Sequence, residues 1–181
     1  MESALYTHYK KTVVPALKQD FGFKNIMQVP KVTKVVLNVG YGRHAKEGPF
    51  IENVEKTLMA ISGQKPVHNK AKKAISNFKT RLGMDIGMSV TLRGPRMYEF
   101  LYRLIHITFP RVRDFRGLST TGFDKQGNFT VGFKENISFP ESNIETPDKI
   151  HGLQVIVSTT AHNKAEGLAL LRQLGFPFKD K

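Results

Sequence analysis

Residues 64–81 carry Lys65, Lys70, Lys72, Lys73, Lys79 and Arg81, with no acidic side chain among them and with Phe78 and small residues between. Clustered ammonium and guanidinium groups displace the counterions of a nucleic-acid backbone, which is the chemistry such a run offers. Eighteen residues of this charge read as an arm with a function, because long connections in compact domains are seldom passive. The alternative is a solvated basic loop. Phe78 is then either a packing anchor or a stacking ring. A second cluster, Arg111, Arg113 and Arg116, falls within residues 110–117, PRVRDFRG, and suits bidentate phosphate contacts. Asp114 could equally tie these arginines into a local salt-bridged turn. Glu141, Glu145 and Asp148 form a small acidic patch, either an exposed turn or a docking point for a basic protein.

The charge is unevenly placed. The formal net charge is +13, and residues 64–116 alone contribute an excess of +9, whereas residues 117–181 balance. Such concentration reads as the electrostatic footprint of a polyanion partner, with a well-solvated surface as the alternative. Cysteine is absent, so disulfides and thiolate metal sites are excluded, and a reducing compartment, the cytoplasm, is the simpler setting. No leader pattern begins the sequence and no run of about 18 apolar residues spans a membrane, so no membrane partner is expected.

Enzyme readings are weak. Residues 40–45, GYGRHA, fit the GxGxxA form of the dinucleotide fingerprint, but Gly48 and Pro49 interrupt the helix that must start there and no acidic strand end follows at the required distance. Walker A, HExxH and GxSxG patterns are missing. His8, His44, His68, His106, His151 and His162 show no ligand spacing. No catalytic residue, cofactor, metal or small-molecule substrate is therefore expected.

The elements that must position the cations follow from periodicity. Helices are expected at 3–20 (Leu5, Tyr9, Val13, Leu17, with a kink at Pro15), at 48–62 (Ile51, Val54, Leu58, Ile61, stopped by Gly63 and Pro66), from Pro95 to a stop at Pro110 (Met97, Leu101, Leu104, Thr108), and after Asn163, whose Glu166 makes a capping box. Strands alternate at 32–39, 86–93 and 153–160, with short candidates at 130–133 and 137–139. Clean alternation means a sheet with one covered face, so the fold is α+β, a single domain over 1–181, with an antiparallel sheet, helices mainly on one face and an open polar face. That face carries Lys34, Asn38, Ser89, Thr91, Arg93, Gln154, Ser158 and Thr160. It lacks aromatics, so base stacking is not its main mode. Short polar groups beside cations suit a folded RNA read by shape, with an ordinary solvated face as the alternative.

Eight motifs lie in register: MQVP (27–30), LNVG (37–40), ISGQKP (61–66), KAKK (70–73), VTLRG (90–94), RVRDFRG (111–117), GN (127–128) and FPF (176–178). Together they closely resemble the bacterial form of the large ribosomal subunit protein five family over nearly the whole chain. The resemblance implies an antiparallel sheet flanked by helices, and a structural protein that binds 5S ribosomal RNA in the central protuberance. It implies rRNA contact through Asn38, Gln64, Lys65, Thr91 and Arg93, to which the face reading adds Lys34. The arm at 70–81, with Lys70, Lys72, Lys73, Phe78, Lys79 and Arg81, would approach the elbow of peptidyl-site tRNA. Arg111, Arg113 and Arg116 become candidates for contacts with RNA or protein, including the small-subunit head. Implied partners are 5S rRNA, 23S rRNA, tRNA and neighbouring central-protuberance proteins. Arg43 and His44 depart from the acidic or small residues common there, which either adds an RNA contact or alters the loop. A free RNA chaperone or tRNA-binding module is the competing reading, and a nucleotide-dependent enzyme the third.

Overall fold

The computed structural model describes residues 3–142 and 150–179. Five strands, β1 (Val32–Gly40), β2 (Val67–Lys70), β3 (Asp85–Leu92), β4 (Phe129–Phe133) and β5 (Leu153–Thr159), form one antiparallel sheet in the order β2-β3-β1-β5-β4. The helical segments are α1 (Ala4–His8), α2 (Val14–Phe21), α3 (Gly48–Ser62), α4 (Gly94–Arg103), α5 (Phe109–Arg111) and α6 (Lys164–Gln173). This is the α+β architecture that the alternating strands demand. The chain divides into two compact units. The first comprises Met1–Val35, Leu92–Val131 and Ile156–Lys181, the second Val36–Thr91 and Gly132–Val155.

In the first unit, Leu5, Tyr9, Val13 and Leu17 make one buried stripe, and Met97, Leu101, Leu104 and Thr108 another. Both helical runs contain a proline, and both meet it in the same way. A π turn at Tyr9–Val13 ends two residues before Pro15, and another at Leu104–Thr108 ends two residues before Pro110. Proline lacks an N–H, and its ring collides with the carbonyl four residues back; a widened turn accommodates both. Pro110 therefore does not end its helix, contrary to the stop that the sequence predicts. The chain stays helical through Arg111 and leaves the helix at Val112, where ψ is 129°. Tyr9 donates its hydroxyl proton to the Pro30 carbonyl at 3.1 Å, and burial first, with Tyr6 second, pushes its pKa up to about 12. Asn163 caps α6 by accepting from the Glu166 N–H at 2.9 Å, but the Glu166 carboxylate reaches the His162 N–H rather than that of Asn163, so the expected box closes one residue early.

In the second unit, Leu37, Val39, Val54, Leu58, Ile61, Met88, Val90, Leu153 and Val155 are all buried. Full burial of each such aliphatic side chain contributes roughly 1.5–3 kcal/mol. Gly48 and Pro49 begin α3, and Gly63, at φ +68°, closes it, as read from the sequence. Gly87 is buried against β1: a Cβ there would lie 2.9 Å from the Val39 carbonyl oxygen, so only glycine lets the two backbones sit this close. Two expectations fail here. Residues 67–70 form β2, paired antiparallel with β3, so the run 64–81 is not one continuous loop. The strand expected at 137–139 is instead a tight turn, Asn136–Ser138, because Asn136 turns inward and meets His151.

Candidate nucleic-acid interface

The open side of the sheet is set by alternation. In the second unit Leu37 and Val39, Met88 and Val90, and Leu153 and Val155 are buried, so Asn38, Ser89 and Gln154 must point the other way, where each is at least partly exposed. Ser89 Oγ donates to Asn69 Oδ1 at 3.3 Å, and Asn38 Nδ2 donates to Gln154 Oε1 at 3.5 Å. Asn69, Ser89, Asn38 and Gln154 stand on β2, β3, β1 and β5, four consecutive strands of the sheet. They make a row of short amides and a hydroxyl with donors and acceptors directed outward. Thr91 is exposed on the same alternation. Gly132 of β4 and Gly40 of β1 fall on this side too, and a Cβ at either would meet nothing within 4 Å. A strand glycine costs roughly 0.5–1 kcal/mol, and at these two positions it leaves the backbone open to close approach.

Gln64 and Lys65 link α3 to β2. Ser62 Oγ fixes that turn, accepting from the Gln64 N–H at 3.2 Å and donating to the Gln64 carbonyl at 3.1 Å. The Lys65 side chain is exposed and Gln64 half-buried. Beyond β2 the chain forms the arm. Ala71 pairs with Met84 and Gly83, and Ile75 pairs with Thr80 around the turn Ser76–Phe78, which Lys79 closes in a left-handed conformation at φ +52°. Lys70, Lys72, Lys73, Lys79 and Arg81 are exposed. Phe78 is 72 % exposed at the tip, so it is not a packing anchor but a ring open to a ligand. At the base of the arm, the Tyr41 hydroxyl lies 3.4 Å from His68 Nδ1, and burial, then Asp85 and Glu55, raise the Tyr41 pKa, keeping the phenol protonated.

In the first unit, Arg93 is exposed and occupies the residue before α4. Lys34 is half-buried, as is Ser158. Thr160 is exposed, but its Oγ1 accepts the Lys31 N–H at 3.0 Å, so this hydroxyl already serves the strand end. Arg111, Arg113 and Arg116 are all exposed. Phe115 stacks on Phe109 at 5.6 Å and pins the turn, with Asp114 in a left-handed conformation at φ +50°. Among the described residues Asp114 makes no ion pair with these arginines, which leaves the guanidinium groups available for phosphate. Glu141 is half-buried, while Glu145 and Asp148 lie outside the described residues.

The residues that build this face, arm and turn fall within two stretches that match known family descriptions. The description "Ribosomal protein L5" fits residues 25–81, and "ribosomal L5P family C-terminus" fits residues 85–178. The chain belongs to the ribosomal protein L5 family. It is 54% identical to the large ribosomal subunit protein uL5 of Caldanaerobacter subterraneus subsp. tengcongensis, over 97% of this chain and 98% of that one. It is 49% identical to uL5 of Lactobacillus acidophilus, over 98% and 99%. The uL5c of Rhodomonas salina is 47% identical over 99% of each chain. This L5-family chain is thus a structural, non-enzymatic component of the large ribosomal subunit, with ribosomal RNA as its partner. Residues 40–45 span the end of β1 and a tight turn at Gly42–His44, and α3 begins at Gly48.

Sequence reasoning missed Asn69 because β2 contains one apolar residue among polar ones. It also passed over Gly132, and read Gly40 only as part of a fingerprint and a family motif; glycine inside an alternating strand was the available signal.

Proposed function

We propose that the open polar face is the surface on which this protein binds 5S rRNA in the central protuberance. Lys34, Asn38, Gln64, Lys65, Thr91 and Arg93 supply the contacts. The observation that carries the reading is the row Asn69, Ser89, Asn38 and Gln154: short hydrogen-bonding groups on a flat, glycine-bearing surface, with no ring to stack a base. Such a surface reads A-form RNA by its 2′-hydroxyls and phosphates. The arm, through Lys70, Lys72, Lys73, Phe78, Lys79 and Arg81, engages peptidyl-site tRNA. Arg111, Arg113 and Arg116 contact 23S rRNA or neighbouring proteins, including those of the small-subunit head. The protein works in the cytoplasmic ribosome.

A mobility shift with purified 5S RNA across a salt series tests this directly. Binding much tighter than to an unrelated RNA of equal length, weakened by Asn38→Ala and Arg93→Ala, is the expected result. Equal affinity for both RNAs refutes it. A free tRNA-binding module would instead stay out of the large-subunit fraction on gradient sedimentation.

A further inference from the structure

A cleft of about 1170 Å³ opens in the second unit, beneath the arm and beside the end of β1. Its walls come from the turn after β1 with Arg43 and His44, the nearby first turn of α3 with Phe50, the arm with Lys72, Lys73 and Lys79, Ile86 of β3, and residues 150–152 before β5. The His44 imidazole and Phe50 ring stack with centroids 4.6 Å apart and planes 30° apart. Both Glu47 carboxylate oxygens lie 3.1 Å from His44 Nδ1 and hold that ring in place. Arg43, Lys72, Lys73 and Lys79 are exposed, and among the described residues none is in an ion pair. Gly40 and Gly42 border the opening, where an added Cβ would meet nothing within 4 Å.

We infer that this cleft captures a single unpaired nucleotide of RNA, its base against the His44–Phe50 pair and its flanking phosphates on Arg43, Lys72, Lys73 and Lys79. Aromatic rings in a concave, cation-rimmed cleft demand a base whose face is free. In an A-form duplex the faces are covered by neighbouring bases, whereas bulges and loops present them. The cleft therefore complements the sheet face: one reads the shape of paired RNA, the other the presence of an extruded base. The inference rests on the RNA-binding reading above; it adds Arg43, His44 and Phe50 to the RNA-contacting residues and shares Lys72, Lys73 and Lys79 with the arm.

The test uses three hairpin RNAs with the same stem: one with a single bulged adenosine, one with an abasic residue at the bulge, and one fully paired. The abasic RNA keeps the bulge phosphates and removes only the base. The intact protein is expected to bind the adenosine bulge about fivefold or more tighter than the abasic one, in keeping with base–aromatic stacking. His44→Ala should erase that difference while leaving the affinity for the paired hairpin unchanged. The chain has no tryptophan, so Phe50→Trp supplies a single reporter. Its fluorescence should be quenched by the adenosine bulge and not by the abasic one. Equal affinity for base and abasic bulges, or an unchanged tryptophan signal at saturation, overturns the inference. If 5S RNA is still bound in that event, the sheet-face reading survives; if no RNA is bound at all, both fall.

Discussion

The row Asn69, Ser89, Asn38 and Gln154 and the arm lie in the same unit, and on the proposed reading they meet RNA by opposite means. On the face, Asn38, Ser89 and Gln154 are short side chains on paired strands, and two of the contacts between neighbours are hydrogen bonds at 3.3 and 3.5 Å. Little rotamer freedom is left to lose on binding, so geometry decides what fits. On the arm, Lys72, Lys73 and Lys79 are long, exposed cations on a hairpin held by a few backbone bonds. Their contribution is charge, which is indifferent to shape and falls with salt. On the proposed reading, the short-chained, weakly charged surface discriminates and the strongly charged one attracts.

Each side of that contrast can be broken separately. The largest effect is expected from Asn38→Asp, which places a fixed negative charge in the middle of the row facing a polyanion. Like-charge juxtaposition costs several kcal/mol, so 5S RNA affinity should fall on the order of a hundredfold with little change in thermal midpoint. Filter binding and a melting curve measure both, and wild-type affinity would remove Asn38 from the interface. Next, replacing Lys70, Lys72 and Lys73 together with alanine should leave 5S binding within about threefold and weaken tRNA engagement by assembled ribosomes by about tenfold, since each lost phosphate contact also lowers the salt slope by about 0.7–0.9. Equal losses on both RNAs would erase the division of labour. A smaller effect, and one with opposite signs, is expected from Gly132→Val. Removing a strand glycine stabilises by about 0.5–1 kcal/mol, so the midpoint should rise by a few degrees, while the added bulk lowers 5S affinity by about fivefold, at the scale of about 1 kcal/mol per lost contact. A rise in both would show that nothing approaches β4.

Much of this contrast was legible in residue order. β1 and β3 alternate cleanly, so Leu37, Val39, Met88 and Val90 against Asn38 and Ser89 fixed which side is covered. Gly48 with Pro49 and Gly63 bracketed α3 for local steric reasons. What escaped notice depended on partners distant in sequence. β2 has no apolar pattern of its own and exists because β3 offers it a free edge, with Val67 opposite Ser89 and Asn69 opposite Gly87. The π turns before Pro15 and Pro110 are a response to packing that keeps both helical runs going past a residue that would break an isolated helix. The cleft was not legible, because the arm with Lys73 meets the His44–Phe50 pair only in three dimensions.

The chain contains no cysteine, so one introduced thiol reports on one place. With Gln154→Cys on the sheet face and Lys73→Cys on the arm in separate proteins, the rate of maleimide modification can be measured free and bound to 5S RNA. Strong protection of the thiol at 154 with the thiol at 73 still reactive is the expected outcome. A thiol at 154 that reacts as fast in the complex as in the free protein would mean that the polar face is not where the RNA lies.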